Sequence, residues 1–212
     1  MLPKLLSLIL LGLGVFVLMQ VALPFIEYQT WEVQAIDKNS LLVSPQALGE
    51  VKGVSIKDTG DFSAFISDNA APDYISYSFF NISIPSLRID DLKIKVSSND
   101  VEAGPAQLPG TAFPGERGNI FVSGHSSLPQ LSLRQVKPPF SVLPKIKRGD
   151  QIFVNAGGQE FTYIVEGLRI VDPKEISVIN PPDAMGRYLT LMTCVPPGLN
   201  TKRLIVLSKL QQ

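Results

Sequence analysis

The chain has 212 residues, with 19 Lys and Arg balanced by 19 Asp and Glu, so its formal net charge at pH 7 is zero. A hydrophobic content of 45% is enough for a packed core and excludes a disordered chain. No basic block or aromatic-interleaved patch is present, which excludes nucleic acid as a partner, and a single Cys excludes an internal disulfide.

Leu5 to Ile26 is a run of 22 residues without a charge, long enough to span a bilayer as a helix. Lys4 precedes it and Glu27 follows it, so the positive-inside rule puts residues 1–4 in the cytoplasm and everything after the run outside. The run exceeds the roughly 7–15-residue core of a signal peptide, and no small-x-small cleavage site follows. This favours an uncleaved, single-pass anchor in the cell membrane with an extracellular domain. In residues 27–80, Trp31-Glu-Val-Gln-Ala-Ile reads as a short strand or the tail of the anchor helix, and 44–73 carry Pro, Gly, Ser and Asp with weak periodicity; the segment reads as a stalk or N-terminal appendage with little structure of its own, and a segment packed on the domain as a lid is the alternative.

From Asn81 the pattern tightens. Ile82 and Ile84, then Leu92, Ile94 and Val96, alternate with polar residues and predict two strands broken at Pro85-Ser86. Leu108-Pro-Gly-Thr through Gly118 is dense in turn residues. Asn119 to Gly124 is a strand ending at His125. Residues 131–143 predict a short helix or turn, and 151–155 with 160–170 a hairpin around Gly157-Gly158. Asp172-Pro173 has the form of a helix start, Asp172 as N-cap. Tyr188 to Thr193 and Leu204 to Leu207 are two further strands, parted by Pro196, Pro197, Gly198 and Asn200. Many short strands with few helices indicate an all-β barrel or sandwich over residues 81–212.

Cys194 ends one strand of that last pair and Arg203 opens the next. Antiparallel pairing would set them opposite each other, with Cβ atoms roughly 5 Å apart. A lone Cys usually behaves as a small apolar core residue. Here it is an unpaired thiol in an exported chain, at a strand–loop junction where full burial is not expected, and this favours a task. The sole His, His125, also ends a strand. Together the three suit thiol-based acyl transfer, with Cys194 as nucleophile, Arg203 at the developing oxyanion and His125 as general acid. No third residue is found to orient the His; Asn200 is the one candidate near the Cys and stays unassigned. No acidic cluster has calcium-loop spacing, and neither a metal nor a cofactor is expected. A non-catalytic, membrane-tethered β-domain remains the alternative to an enzyme.

Thr190-Leu-Met-Thr-Cys194, with Arg203 nine residues on, resembles the TLxTC…R signature of the sortases, membrane-anchored transpeptidases. Ile84-Pro85, Pro109-Gly110-Thr111, Pro114-Gly115-Glu116, Gly118-Asn119 leading into Gly124-His125, Pro139-Phe140 through Gly149-Asp150, and Ile170-Val171-Asp172-Pro173 resemble the family in order and spacing. Thr193 to Arg203 is most similar to classes C–E, although Pro72-Asp73-Tyr74 matches the class C lid motif only in scrambled order. The resemblance implies an eight-stranded sortase β-barrel and the catalytic set His125, Cys194 and Arg203. It also implies a secreted substrate with an LPxTG-like sorting signal, cut between Thr and Gly. The acceptor would be an amine, from a cell-wall precursor or a pilin lysine. Candidate substrate-binding residues are Thr193, Val195 and Asn200, with part of the pocket from 171–187 and 195–202. A cysteine peptidase on the same fold, with water as acceptor, shares all of these residues. Leu108-Pro-Gly-Thr itself resembles a sorting signal, but reads as a turn.

Overall fold

The computed structural model describes residues 2–35, 53–58, 63–70, 72–127, 138–197 and 200–211. Two compact units divide it, one over residues 1–39 and one over 40–212. In the first, α1 (Leu2–Ala35) runs through the uncharged stretch and continues past Trp31, so 31–35 is helix and not a strand. Its Leu6, Ile9, Leu13 and Phe16 are all exposed. Over the described residues taken alone, no helix is long and apolar enough to be assigned as a membrane span.

The second unit is a closed eight-stranded barrel. Its strands are β3 (Phe79–Ile84), β4 (Ile89–Lys95), β5 (Ala106–Gln107), β6 (Gly118–Ser123), β7 (Gln151–Ala156), β8 (Gln159–Val171), β9 (Arg187–Val195) and β10 (Lys202–Leu210), closed in the order β10-β8-β7-β3-β4-β5-β6-β9. The alternation that marked these strands fills the interior. Phe80, Ile82, Ile84, Ile94, Ile120, Val122, Ile152, Val154, Leu189, Leu191, Leu204 and Val206 are all buried. Leu92 and Val96 are only half-buried, because Ile89 and Ile94 supply the core positions of β4. Pro85–Leu87 forms a 3-10 turn, and β7 and β8 pair around Gly157-Gly158 as expected.

Two expected helical features take a different form. Residues 128–137 lie outside the described set, and Pro139–Lys145 is a 3-10 helix that buries Phe140 and Leu143. After β8, Asp172 caps no α-helix. The chain turns and forms a 3-10 helix at Ile176–Ile179 with no side-chain cap, and the Asp172 carboxylate receives Lys202 Nζ at 2.5 Å. The Leu108-Pro-Gly-Thr stretch is a turn, with Gly110 at φ +80° and Thr111 Oγ1 donating to Leu108 O at 2.7 Å.

The appendage is structured where it is described. β1 (Val54–Asp58) and β2 (Ser63–Ser67) form an antiparallel hairpin with Ile56 opposite Phe65. One face is apolar. Phe65 is buried with Leu108, Phe121, Val171, Met192 and Ile205, and Val54 and Ile56 pack against the same cluster. The Phe65 and Phe121 rings lie 5.9 Å apart. Asn99 holds the end of the hairpin through both backbone groups of Ser67, at 3.0 Å from N and 2.9 Å to O. Residues 53–58 and 63–67 thus pack on the barrel.

Candidate active site

Alternation along β9 decides which side chains meet. Leu189, Leu191 and Thr193 occupy one face, and Thr190, Met192 and Cys194 the other. β10 pairs antiparallel with β9, placing Arg203 opposite Cys194 and Ile205 opposite Met192. β6 pairs parallel with β9, with Phe121 opposite Thr190 and Ser123 opposite Met192. Continuing that register by two residues sets His125 beside Cys194. Three adjacent strands, β10-β9-β6, therefore bring Arg203, Cys194 and His125 to one rim on the outer face of the barrel.

Regular pairing of β6 ends at Ser123, and side chains carry the alignment on to His125. Gly124 N donates to Met192 O at 3.1 Å. Thr193 Oγ1 donates to Gly124 O at 2.8 Å, and Ser126 Oγ to Cys194 O at 2.6 Å. Two hydroxyls thus bracket His125 and tie it to the strand carrying the thiol. Gly124 is required by a close approach, since a Cβ there would lie 2.7 Å from Phe140 Cδ2. Ser126 was missed from sequence, where a Ser after a strand carries no signal of its target.

Cys194 does not sit at an open junction. It is only 1% exposed, and the hairpin packs on Met192, two residues before it on the same face of β9. Burial pushes its thiol up to about 11, while the Arg203 guanidinium pulls in the opposite direction. Arg203 is equally buried; burial lowers its pKa and Cys194 raises it. Arg203 Nη1 donates to Asn200 O at 3.0 Å and Lys202 O at 3.1 Å. Asn200 therefore acts on the guanidinium through its carbonyl, from a left-handed backbone at φ 57°. Thr193 and Val195 are buried on the face opposite Cys194, so their side chains are not brought to the thiol. His125 is about one-quarter exposed, and its Nε2 lies 3.2 Å from Glu102 Oε1, a partner no spacing in the sequence revealed. Among the described residues no cluster of His, Cys, Asp or Glu could hold a metal ion.

The family model described as Sortase domain matches residues 82–211, the barrel almost end to end. The chain belongs to the sortase family. It is 28% identical over 134 residues to sortase A of Listeria monocytogenes, covering 62% of this chain and 56% of that protein. It thus spans little more than half the length of that curated relative. Among solved sortases, sortase C-1 of Actinomyces oris superposes with a TM-score of 0.58 at 26% identity, covering 68% of this chain and 85% of the other. A lid mutant of sortase A from Corynebacterium diphtheriae gives 0.56 at 27%, covering 64% and 71%. Both matches agree with the closed barrel described above.

Proposed function

We propose that this sortase is a cysteine transpeptidase acting through Cys194, His125 and Arg203 on secreted proteins with an LPxTG-like sorting signal. The observations that carry this reading are the register that opposes Arg203 to Cys194 and the hydrogen bonds of Gly124 and Ser126, on either side of His125, to the strand that holds the thiol. The Cys194 thiolate adds to the Thr carbonyl of the signal, and Arg203 donates to the oxyanion that forms. As the Thr–Gly C–N bond breaks, the His125 imidazolium gives its proton to the leaving amine, leaving a thioester. An entering amine, from a cell-wall peptide or a pilin lysine, attacks that thioester and passes a proton to His125. The new C–N bond forms, the C–S bond breaks, and the thiolate returns.

A thiol held near 11 is almost wholly neutral at pH 7, so the reactive thiolate–imidazolium form is a minor one. Neutral thiol is also the form compatible with burial under packed side chains. The β1–β2 hairpin, packed on Met192 two residues before Cys194, serves as a cover beside the site, and its lifting would open the thiol to a peptide. α1 serves as the anchor and places the barrel outside the cell. Its support is the uncharged run 5–26 and a 34-residue helix with apolar side chains exposed around it.

The test offers the full chain in detergent a quenched LPxTG-type peptide, with and without an amine acceptor. Cleavage abolished by Cys194→Ala, together with a ligated product when amine is added, is the expected result. Cleavage without ligation on any acceptor amine would reassign the protein as a peptidase. No turnover across a broad signal library would remove the enzymatic reading.

A further inference from the structure

Glu102 lies in the segment joining β4 to β5, remote in sequence from every element of the catalytic rim. Its Oε1 is nevertheless 3.2 Å from His125 Nε2. The segment that carries it is built to hold position. Asp100 Oδ1 accepts from Glu102 N at 3.1 Å, Ser98 Oγ accepts from Asp100 N at 3.1 Å, and Lys95 Nζ reaches Asp100 Oδ2 at 3.5 Å. Hydrogen bonds from Glu102 and Ala103 backbone N–H groups and the nearby Lys95 keep the Asp100 carboxyl below its usual range, with the Glu102 N–H the largest contribution and burial opposing. Asp100 therefore stays ionised and keeps the Glu102 backbone in place.

We propose that Glu102 is the positioning residue for the His125 imidazole in the acyl transfer set out above, on which this inference rests. Its carboxylate accepts from Nε2–H and fixes both the ring orientation and the tautomer. Nδ1 is then the nitrogen that passes the proton to the departing amine and takes one from the entering amine. The carboxylate also compensates the positive charge of the imidazolium that has to accompany the thiolate. The side chain is mostly exposed, so its effect is smaller than that of a buried triad member. Glu102 reaches the ring from the β4–β5 segment, while Cys194 and Arg203 stand opposite each other on β9 and β10.

His125 is the only His in the chain, so its ring nitrogens give one unambiguous set of 15N signals in the full-length protein in detergent. Wild type is expected to show the Nε2–H tautomer, with Nδ1–H gaining several-fold in population in Glu102→Ala. On a quenched LPxTG-type peptide with an amine acceptor, Glu102→Ala is expected to lower kcat roughly tenfold with KM within twofold. Glu102→Gln, whose amide oxygen still accepts from Nε2–H, should recover part of that loss, whereas Glu102→Asp, one methylene shorter, should not. Equal kcat values and unchanged ring signals in wild type and Glu102→Ala would overturn the proposal. A tautomer shift in a chain that turns over no peptide would uphold the His125–Glu102 contact while removing the acyl-transfer reading, so the two failures are distinguishable.

Discussion

At the scale of single residues, the pair that matters is Cys194 and Arg203. Burial raises the thiol to about 11, above its ordinary value of 9.0, and the guanidinium opposes that rise. The folded state therefore binds the thiol proton more tightly than the unfolded chain. Stability from this group is complete below pH 9 and is lost as pH climbs from 9 towards 11. Thiolate absorbance of wild type, with Cys194→Ala subtracted to remove the tyrosines, should rise with a midpoint near 11. In Arg203→Ala the midpoint should move higher still, since the opposing charge is gone. The same variant should lose about 10²–10³ in kcat/KM if Arg203 meets the oxyanion. A midpoint near that of a free thiol in wild type would contradict the burial of Cys194. Pairing of these two residues was legible in sequence from two strands parted by a Pro-rich loop. Burial of the thiol was not, because a strand end acquires its surroundings only when the barrel has closed.

At the scale of elements, the β1–β2 hairpin is the piece most changed from its sequence description. Val54-Ser-Ile-Lys alternates over only four residues, too short a run to stand out among the Pro, Gly and Ser around it. Its apolar face has meaning only against Phe121, Met192 and Ile205, which face outward from the barrel. Burying Phe65 there contributes about 1.5–3 kcal/mol. In Phe65→Ala, the fraction of molecules with the hairpin lifted should rise about tenfold for each 1.4 kcal/mol lost. The rate of iodoacetamide labelling at Cys194, followed by intact mass at fixed pH, should rise by up to that factor. A rate unchanged from wild type would show that the hairpin does not control access to the thiol. The ends of β6 and β9 make the complementary point. Tyr188 to Thr193 announces a strand, but the hydroxyls of Thr193 and Ser126 that carry the alignment to His125 are ordinary residues until their carbonyl partners are in place.

At the scale of the whole molecule, a neutral, 212-residue chain carries a closed barrel and the 34-residue helix α1. If α1 is the anchor, full-length protein should stay in the membrane pellet after alkaline carbonate washing. A chain beginning at Ser40, where the second unit starts, should be released. In intact cells, external protease should reach the barrel of the full-length protein. Release of the full chain by carbonate would remove the anchor. The amino-acid sequence by itself determined the all-β architecture and most turn positions and singled out His125, Cys194 and Arg203 as candidates, because alternation, Pro and Gly placement and rare residue types are local properties. Only the tertiary structure decided that Thr193 and Val195 turn away from the thiol, that Glu102 meets His125, and that β1 and β2 cover part of the sheet. Strand parity, burial and contacts between residues dozens of positions apart exist only once the barrel has closed.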